Sequence, residues 1–187
     1  MKKELLAPNG EPSNLTPEQY KLVRTDAFKK WFGNWEKDPE NSSKFVDKNG
    51  EPLVVYHGTG EEFNVFEKTR FGKLGQAMYF TPYLADAEKY AKKTDSERVI
   101  KAFLNSRKLA VISNPYAKKE LPNEYDAIWA YKGGGEGEEI AVFEPNQIKL
   151  ADGNNTTFDS SNDDIRFEQG GETKYTTPDY LVMFLGK

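Results

Sequence analysis

"VVYHGTG", residues 54–60, ends an apolar run on the chain's single histidine and follows it with Gly-Thr-Gly. "PLVVYH" (52–57), a β-branched and aromatic run bounded by glycine, reads as the first buried strand, which opens into a turn. His57 then stands at the strand's end, held by a sheet and facing what lies beyond it. Upstream, Asn49-Gly50 is a strong turn signal between two extended segments. Downstream, "AMYFTP" (77–82) is a short extended piece. "YLADAEKYAKK" (83–93) is a helix with Leu84, Ala87 and Ala91 as its buried spine. "ERVIKAFLN" (97–105) alternates as a strand, "RKLAVI" (107–112) is extended, and "EYDAIWAY" (124–131) fits a strand or a helix. "GGGEGEEIAVFEPNQIKLA" (133–151) is a glycine loop feeding a strand. Short strands with few helices between them predict an α+β fold.

The flanks have their own logic. In "LTPEQYKLV" (15–23), Thr16 is an N-cap, Pro17 the first helical position and Gln19 the partner of a capping box. In "TDAFKKWFGNW" (25–35), Phe28, Trp31, Phe32 and Trp35 share one helical face, and Gly33 marks the end. That face is expected to dock on the domain behind it. Past residue 150 the chain turns polar and rich in turns, with Phe158, Ile165 and Phe167 as anchors for a tail draped over the domain. "DYLVMFLGK" (179–187) is apolar again, a last strand or a segment meant for a partner. The expected division is a helical extension over 1–45, a core over 46–150 and a polar extension over 151–187.

Composition narrows the chemistry. The chain has 187 residues, 37% hydrophobic and 13% aromatic, enough for a core. Its mean hydropathy of -0.79 calls for polar extensions around that core. A net charge of -4 makes the whole chain a poor electrostatic partner for nucleic acid or an anionic membrane. The absence of cysteine excludes disulfides, thiolate catalysis and cysteine zinc sites, and one histidine argues against a histidine-rich metal centre. No metal and no membrane partner are expected. No apolar run approaches the ~20 residues of a membrane span, and "MKKELLAPNGEP" lacks the apolar stretch of a secretory signal. The expected location is the cytoplasm, that of the host if a phage encodes the chain.

Three segments carry candidate chemistry in order: "YHGT", "AMYFTPYLADAEKYA" and "EGEEIAVFEPNQI". Together they resemble the ADP-ribosyltransferase fold, in its diphtheria-toxin and poly(ADP-ribose) polymerase branch, which carries a His-Tyr-Glu signature over three strands. The resemblance spans residues 53–150. It places His57, Gly58 and Thr59 on the first motif and Tyr79 on the second, with Tyr90 eleven residues later across a helix. It places Glu139 on the third, followed by alternating apolar residues and the pair Gln147-Ile148. "RTDAFKKWFGNW", "SKFVDKNGEPLVVYHGT" and "TFDSSNDDIRF" also resemble transferase modules of phage and mobile-element polyvalent proteins.

The resemblance implies two small packed antiparallel or mixed sheets with flanking helices, NAD as co-substrate and no metal. It implies that Tyr79 and Tyr90 sandwich the nicotinamide and that the bare backbone of Gly58 meets its carboxamide. His57, helped by Thr59, would hydrogen-bond a ribose hydroxyl of the adenosine half. Glu139 would stabilise the oxocarbenium character of the ribose and orient an acceptor. Catalysis would rest on Glu139, His57 and Tyr79. The polymerase-like enzymes often have a serine three residues before the second tyrosine, and this chain has Ala87. Glu136 and Glu138 compete for the carboxylate role, since Glu136-Gly-Glu138 mimics the Glu-x-Glu of the arginine-targeting branch. Strand alternation sets Glu139, Ala141 and Phe143 against Glu138, Ile140 and Val142, and the offset to Gln147 favours Glu139.

The leading expectation is a mono-ADP-ribosyltransferase acting on a host macromolecule, with protein the first choice and a nucleic-acid base also open. A silent NAD- or ADP-ribose-binding module and an NAD glycohydrolase toxin are the alternatives. A 2'-phosphotransferase acting on RNA shares the fold but needs a second histidine, which the chain lacks.

Overall fold

The computed structural model describes residues 4–70, 72–93, 98–113, 124–131, 137–152 and 158–166. It begins with two short helices, α1 (Pro17–Leu22) and α2 (Asp26–Phe32). Thr16 accepts a hydrogen bond from the Gln19 amide, and the Gln19 side chain accepts from the Thr16 amide, closing the capping box. Gly33 ends α2 at φ 100°, a backbone region costly for a residue with a Cβ. Asp47 to Gly50 forms a turn, with Gly50 at φ 84° and Val46 bridged to Pro52.

Seven strands follow: β1 (Val55–Thr59), β2 (Met78–Phe80), β3 (Arg98–Leu104), β4 (Leu109–Ile112), β5 (Ala127–Tyr131), β6 (Glu138–Val142) and β7 (Ile148–Leu150). Helix α3 (Leu84–Ala91) lies between β2 and β3. One sheet has the order β1-β3-β7 and is antiparallel throughout. The other has the order β2-β6-β5-β4, antiparallel except for the parallel β4–β5 pair. The fold is α+β with two small, mostly antiparallel sheets.

Period-two alternation builds the core between the sheets. Val55, Ile100, Ala102 and Ile148 come from the first sheet, and Met78, Phe80, Ile140 and Val142 from the second. Phe45, Phe66 and Ile165 fill the space around them. The other face of the second sheet is also apolar: Ala141, Ala110, Ile128 and Ala130 pack with Leu74 and Ala77.

The aromatic face of α2 is buried. Phe28, Trp31 and Phe32, with Trp35 just beyond the helix end, pack with Phe103 of β3, Ala151 and Phe158. Polar ties reinforce the contact: Trp31 Nε1 donates to the Asn146 carbonyl, and Arg107 donates to the carbonyls of Trp31 and Phe32.

Three details depart from the sequence reading, and one open reading is decided. The first strand starts at Val55, after Pro52 has closed its turn. Leu84 is 40% exposed, so the buried side of α3 reduces to Ala87 and Ala91. The helix backbone at Ala87 and Ala91 packs directly on Gly58 of β1. Of the segment 124–131, left open between strand and helix, Ala127–Tyr131 is a strand. Finally, 138–150 is two strands in different sheets, because Pro145 opens a 3-10 turn (Pro145–Gln147) between β6 and β7.

Gln147 ties that turn. Its Oε1 accepts from the amides of Phe143 and Glu144, and its Nε2 donates to the carbonyls of Asn105 and Asp126. Lys149, fully buried on β7, ties the tail: its Nζ donates to the carbonyls of Asn162 and Asp164, each at 2.7 Å. Phe158 joins the N-terminal aromatic cluster and Ile165 the core. Phe167, Glu136 and segment 179–187 lie outside the described residues.

Candidate active site

A cavity of about 390 Å³ opens where β1, β2, α3 and the start of β6 meet. His57, Gly58, Tyr79, Tyr90 and Glu139 all line it, although the chain carries them far apart. Its volume falls within the roughly 300–1,000 Å³ of small-molecule sites.

His57 Nδ1 lies 2.7 Å from the Tyr79 carbonyl oxygen. A carbonyl only accepts, so Nδ1 carries the proton and Nε2 is the acceptor of the neutral ring. The edges of Phe66 and Phe63 and the tilted ring of Phe80 enclose the imidazole. Burial lowers its pKa below the usual 6.5, and the bond to the Tyr79 carbonyl opposes that only in part. The imidazole is therefore neutral near pH 7.

Gly58 has two reasons to be glycine. A Cβ built on it would lie 2.8 Å from the Ala91 amide nitrogen and closer still to the Ala87 carbonyl, so α3 packs directly on β1 there. The strand pattern supplies the second. Tyr56 exchanges both backbone hydrogen bonds with Thr81, on the side of β1 away from β3. Two residues on, the amide and carbonyl of Gly58 point the same way, along an edge that faces the cavity. They form a bare donor–acceptor pair.

The Tyr79 hydroxyl donates to the Gly75 carbonyl at 2.7 Å and accepts from the Leu74 amide at 3.0 Å. Gly72 lies against the same hydroxyl, leaving no space for a Cβ. Burial, offset in part by the Leu74 amide and assisted by the charge of Glu139, pushes the phenol up to about 12. Tyr79 therefore offers a neutral ring with its hydroxyl already engaged. Tyr90, on α3, is 54% exposed at the cavity edge, with the Lys93 ammonium 4.9 Å from its ring centroid.

Glu138 and Glu139 diverge as alternation requires. Glu139 lines the cavity on the face of β6 shared by Ala141 and Phe143. Glu138 turns to the other face, where its carboxylate accepts from Tyr83 Oη at 2.7 Å and Trp129 Nε1 at 2.6 Å. Thr59 is not among the lining residues, and its hydroxyl accepts from the Glu61 amide in a local turn. The sequence reading missed Tyr56, Thr69, Lys73 and Thr81, which complete the wall. Two glycines in "FGKLGQ" (71–76) were the available signal that this segment folds back on a site. Among the described residues no cluster of His, Cys, Asp or Glu could hold a metal, and no helix is long and apolar enough to cross a membrane.

Two facing, mostly antiparallel sheets with a histidine strand, a tyrosine strand and a glutamate strand around one cavity are consistent with an ADP-ribosyltransferase-like fold. Residues 47–122 match the family model described as ADP-ribosyltransferase in polyvalent proteins. The matched segment carries His57, Gly58, Tyr79 and Tyr90, and it ends before Glu139. Enzymes of this family take NAD as co-substrate. No curated protein matches the chain.

Proposed function

We propose that this chain is an NAD-dependent mono-ADP-ribosyltransferase whose acceptor is a protein. The observation that supports it best is the convergence of His57, Gly58, Tyr79, Tyr90 and Glu139 on one cavity. Nicotinamide is flat and carries a carboxamide. Tyr79 and Tyr90 supply aromatic faces, and the bare edge of Gly58 supplies one donor and one acceptor for the carboxamide. His57, neutral with Nε2 as acceptor, takes a ribose hydroxyl of the adenosine half.

The reaction breaks the bond between ribose C1 and the nicotinamide nitrogen. The electron pair leaves with nicotinamide and cancels its ring charge. Positive charge grows on the ribose, and the Glu139 carboxylate stabilises it. An acceptor nucleophile then bonds to C1 and releases a proton, which Glu139 or solvent takes. Ala87 offers no hydroxyl to the carboxamide, so the Gly58 backbone carries that recognition.

The likeness to modules of polyvalent proteins motivates a phage or mobile-element role in modifying host proteins, the countering of host defence included, in the host cytoplasm. The direct test is incubation with NAD labelled in the adenosine half and a bacterial lysate, followed by protease and nuclease digestion. Label lost to protease supports a protein acceptor, and label lost to nuclease moves the acceptor to nucleic acid. Nicotinamide release with no labelled macromolecule would favour the glycohydrolase reading.

A further inference from the structure

Beside the cavity, on the opposite face of β6, lies a second group of side chains that does not line it. Its centre is Glu138. The carboxylate is half-buried, and its two hydrogen-bond donors, Tyr83 Oη and Trp129 Nε1, are both neutral. No Lys or Arg pairs with it among the described residues. A carboxylate offers about four lone-pair sites, so two stay available.

Aromatic rings surround this charge. Tyr131 pairs with Glu138 across the strands, and its ring stacks on Trp129 with centroids 6.3 Å apart and planes 18° off parallel. Tyr83 and Tyr131 are 48% and 44% exposed. The electrostatics agree: Tyr83 is pushed up by its bond to Glu138 and by the nearby acidic groups Tyr131 and Asp86. Asp86 is the group's second carboxylate, placed against Gly137 and paired on its far side with Lys89.

Among the described residues this half-buried anion has only neutral donors, and its frame of electron-rich rings makes it complementary to a cation. Guanidinium fits better than ammonium, because it stacks flat on aromatic rings and can donate two hydrogen bonds to one carboxylate. We propose that Glu138, Tyr83, Trp129 and Tyr131 form a docking site for an arginine side chain of the acceptor protein. Glu138 is the residue before Glu139, so an acceptor anchored here presents its neighbouring residues to the mouth of the cavity. The identity of the bound arginine as part of an acceptor rests on the transferase reading. The binding itself does not.

The test therefore needs no NAD. The full chain is titrated by calorimetry with a short glycine-serine peptide carrying one arginine, with its citrulline and lysine counterparts, and with a single-stranded oligonucleotide. Saturable binding of the arginine peptide is expected, weaker by about tenfold for citrulline, which keeps the shape and loses the charge. Lysine should bind several-fold more weakly than arginine. Glu138→Gln and the exposed change Tyr131→Ala should each weaken the arginine peptide several-fold while circular dichroism shows an unchanged fold. Equal binding of arginine and citrulline, of arginine and lysine, or of wild type and both variants would overturn the proposal, as would preference for the oligonucleotide. A parallel assay of nicotinamide release by the wild type separates the two readings. No release with intact arginine binding rejects the transferase and leaves the site standing.

Discussion

Gly58→Ala adds one methyl group at the point where sheet and helix touch. The new Cβ would lie 2.8 Å from the Ala91 amide nitrogen and nearer still to the Ala87 carbonyl, and both are backbone atoms that no rotamer change can move. Ordinary contact begins at 3.4 Å, so α3 must retreat by at least about 0.6 Å. Overpacking of this kind costs about 1–3 kcal/mol. For a chain of this length that corresponds to a fall in melting temperature of roughly 2–12 °C. The helix carries Tyr90 and Ala87 into the cavity wall, so its retreat also widens the cavity. Differential scanning calorimetry gives the first effect, and calorimetric NAD titration of the folded variant gives the second, an expected loss of about tenfold or more. An unchanged melting temperature together with unchanged NAD affinity would refute the close packing and the role of this strand end.

His57 is the only imidazole, so its NMR titration needs no assignment, and it should report a pKa below 6.5. Between the folded value and 6.5 the unfolded chain binds more protons, so its contribution makes stability fall as pH drops through that window. Urea unfolding at about pH 7.5 and about pH 5.5 should show a smaller drop in His57→Gln than in wild type. Tyr79→Ala removes one aromatic face of the slot, and NAD should bind several-fold more weakly, since stacking beyond area burial contributes roughly 0.5–1.5 kcal/mol. Equal affinity in calorimetry would take Tyr79 out of the site. Gln147→Leu leaves two amides and two carbonyls without their partner, so it should destabilise the fold by about 3 kcal/mol or more in urea. A change below ~1 kcal/mol would mean that water replaces the side chain there.

Local chemistry was the legible part of the sequence. The capping box of Thr16 and Gln19, the stop at Gly33 and the Asn49-Gly50 turn are each set by residues a few positions apart. The alternation of Glu138 to Phe143 likewise predicted that the two carboxylates face opposite sides of β6. Contacts between distant segments were not legible. Leu84 belongs to the apolar pattern of α3, yet it is exposed because Gly58 draws the helix backbone onto the sheet. Gln147 was read as part of a family signature, and its four hydrogen bonds show a knot joining the ends of β3, β5 and β6. The clamp of Tyr83 and Trp129 on Glu138 needs β5, β6 and α3 in place before it exists. Thr59 was placed with its neighbours in "YHGT", and its hydroxyl accepts from the Glu61 amide in the turn after β1.

The most direct test of the transferase reading is nicotinamide release from NAD by wild type and by Glu139→Gln, with NAD affinity measured on the same samples. Glu139→Gln keeps the shape and removes the charge that the growing positive ribose needs. It should bind NAD nearly as wild type does, because that charge acts mainly in the transition state. Its turnover should fall by ~10²–10⁴. Glu138→Gln, one residue away on the opposite face, should release nicotinamide at close to the wild-type rate. Full turnover in Glu139→Gln would contradict the proposed chemistry, and full turnover there with loss in Glu138→Gln would move the reaction to the other face of β6.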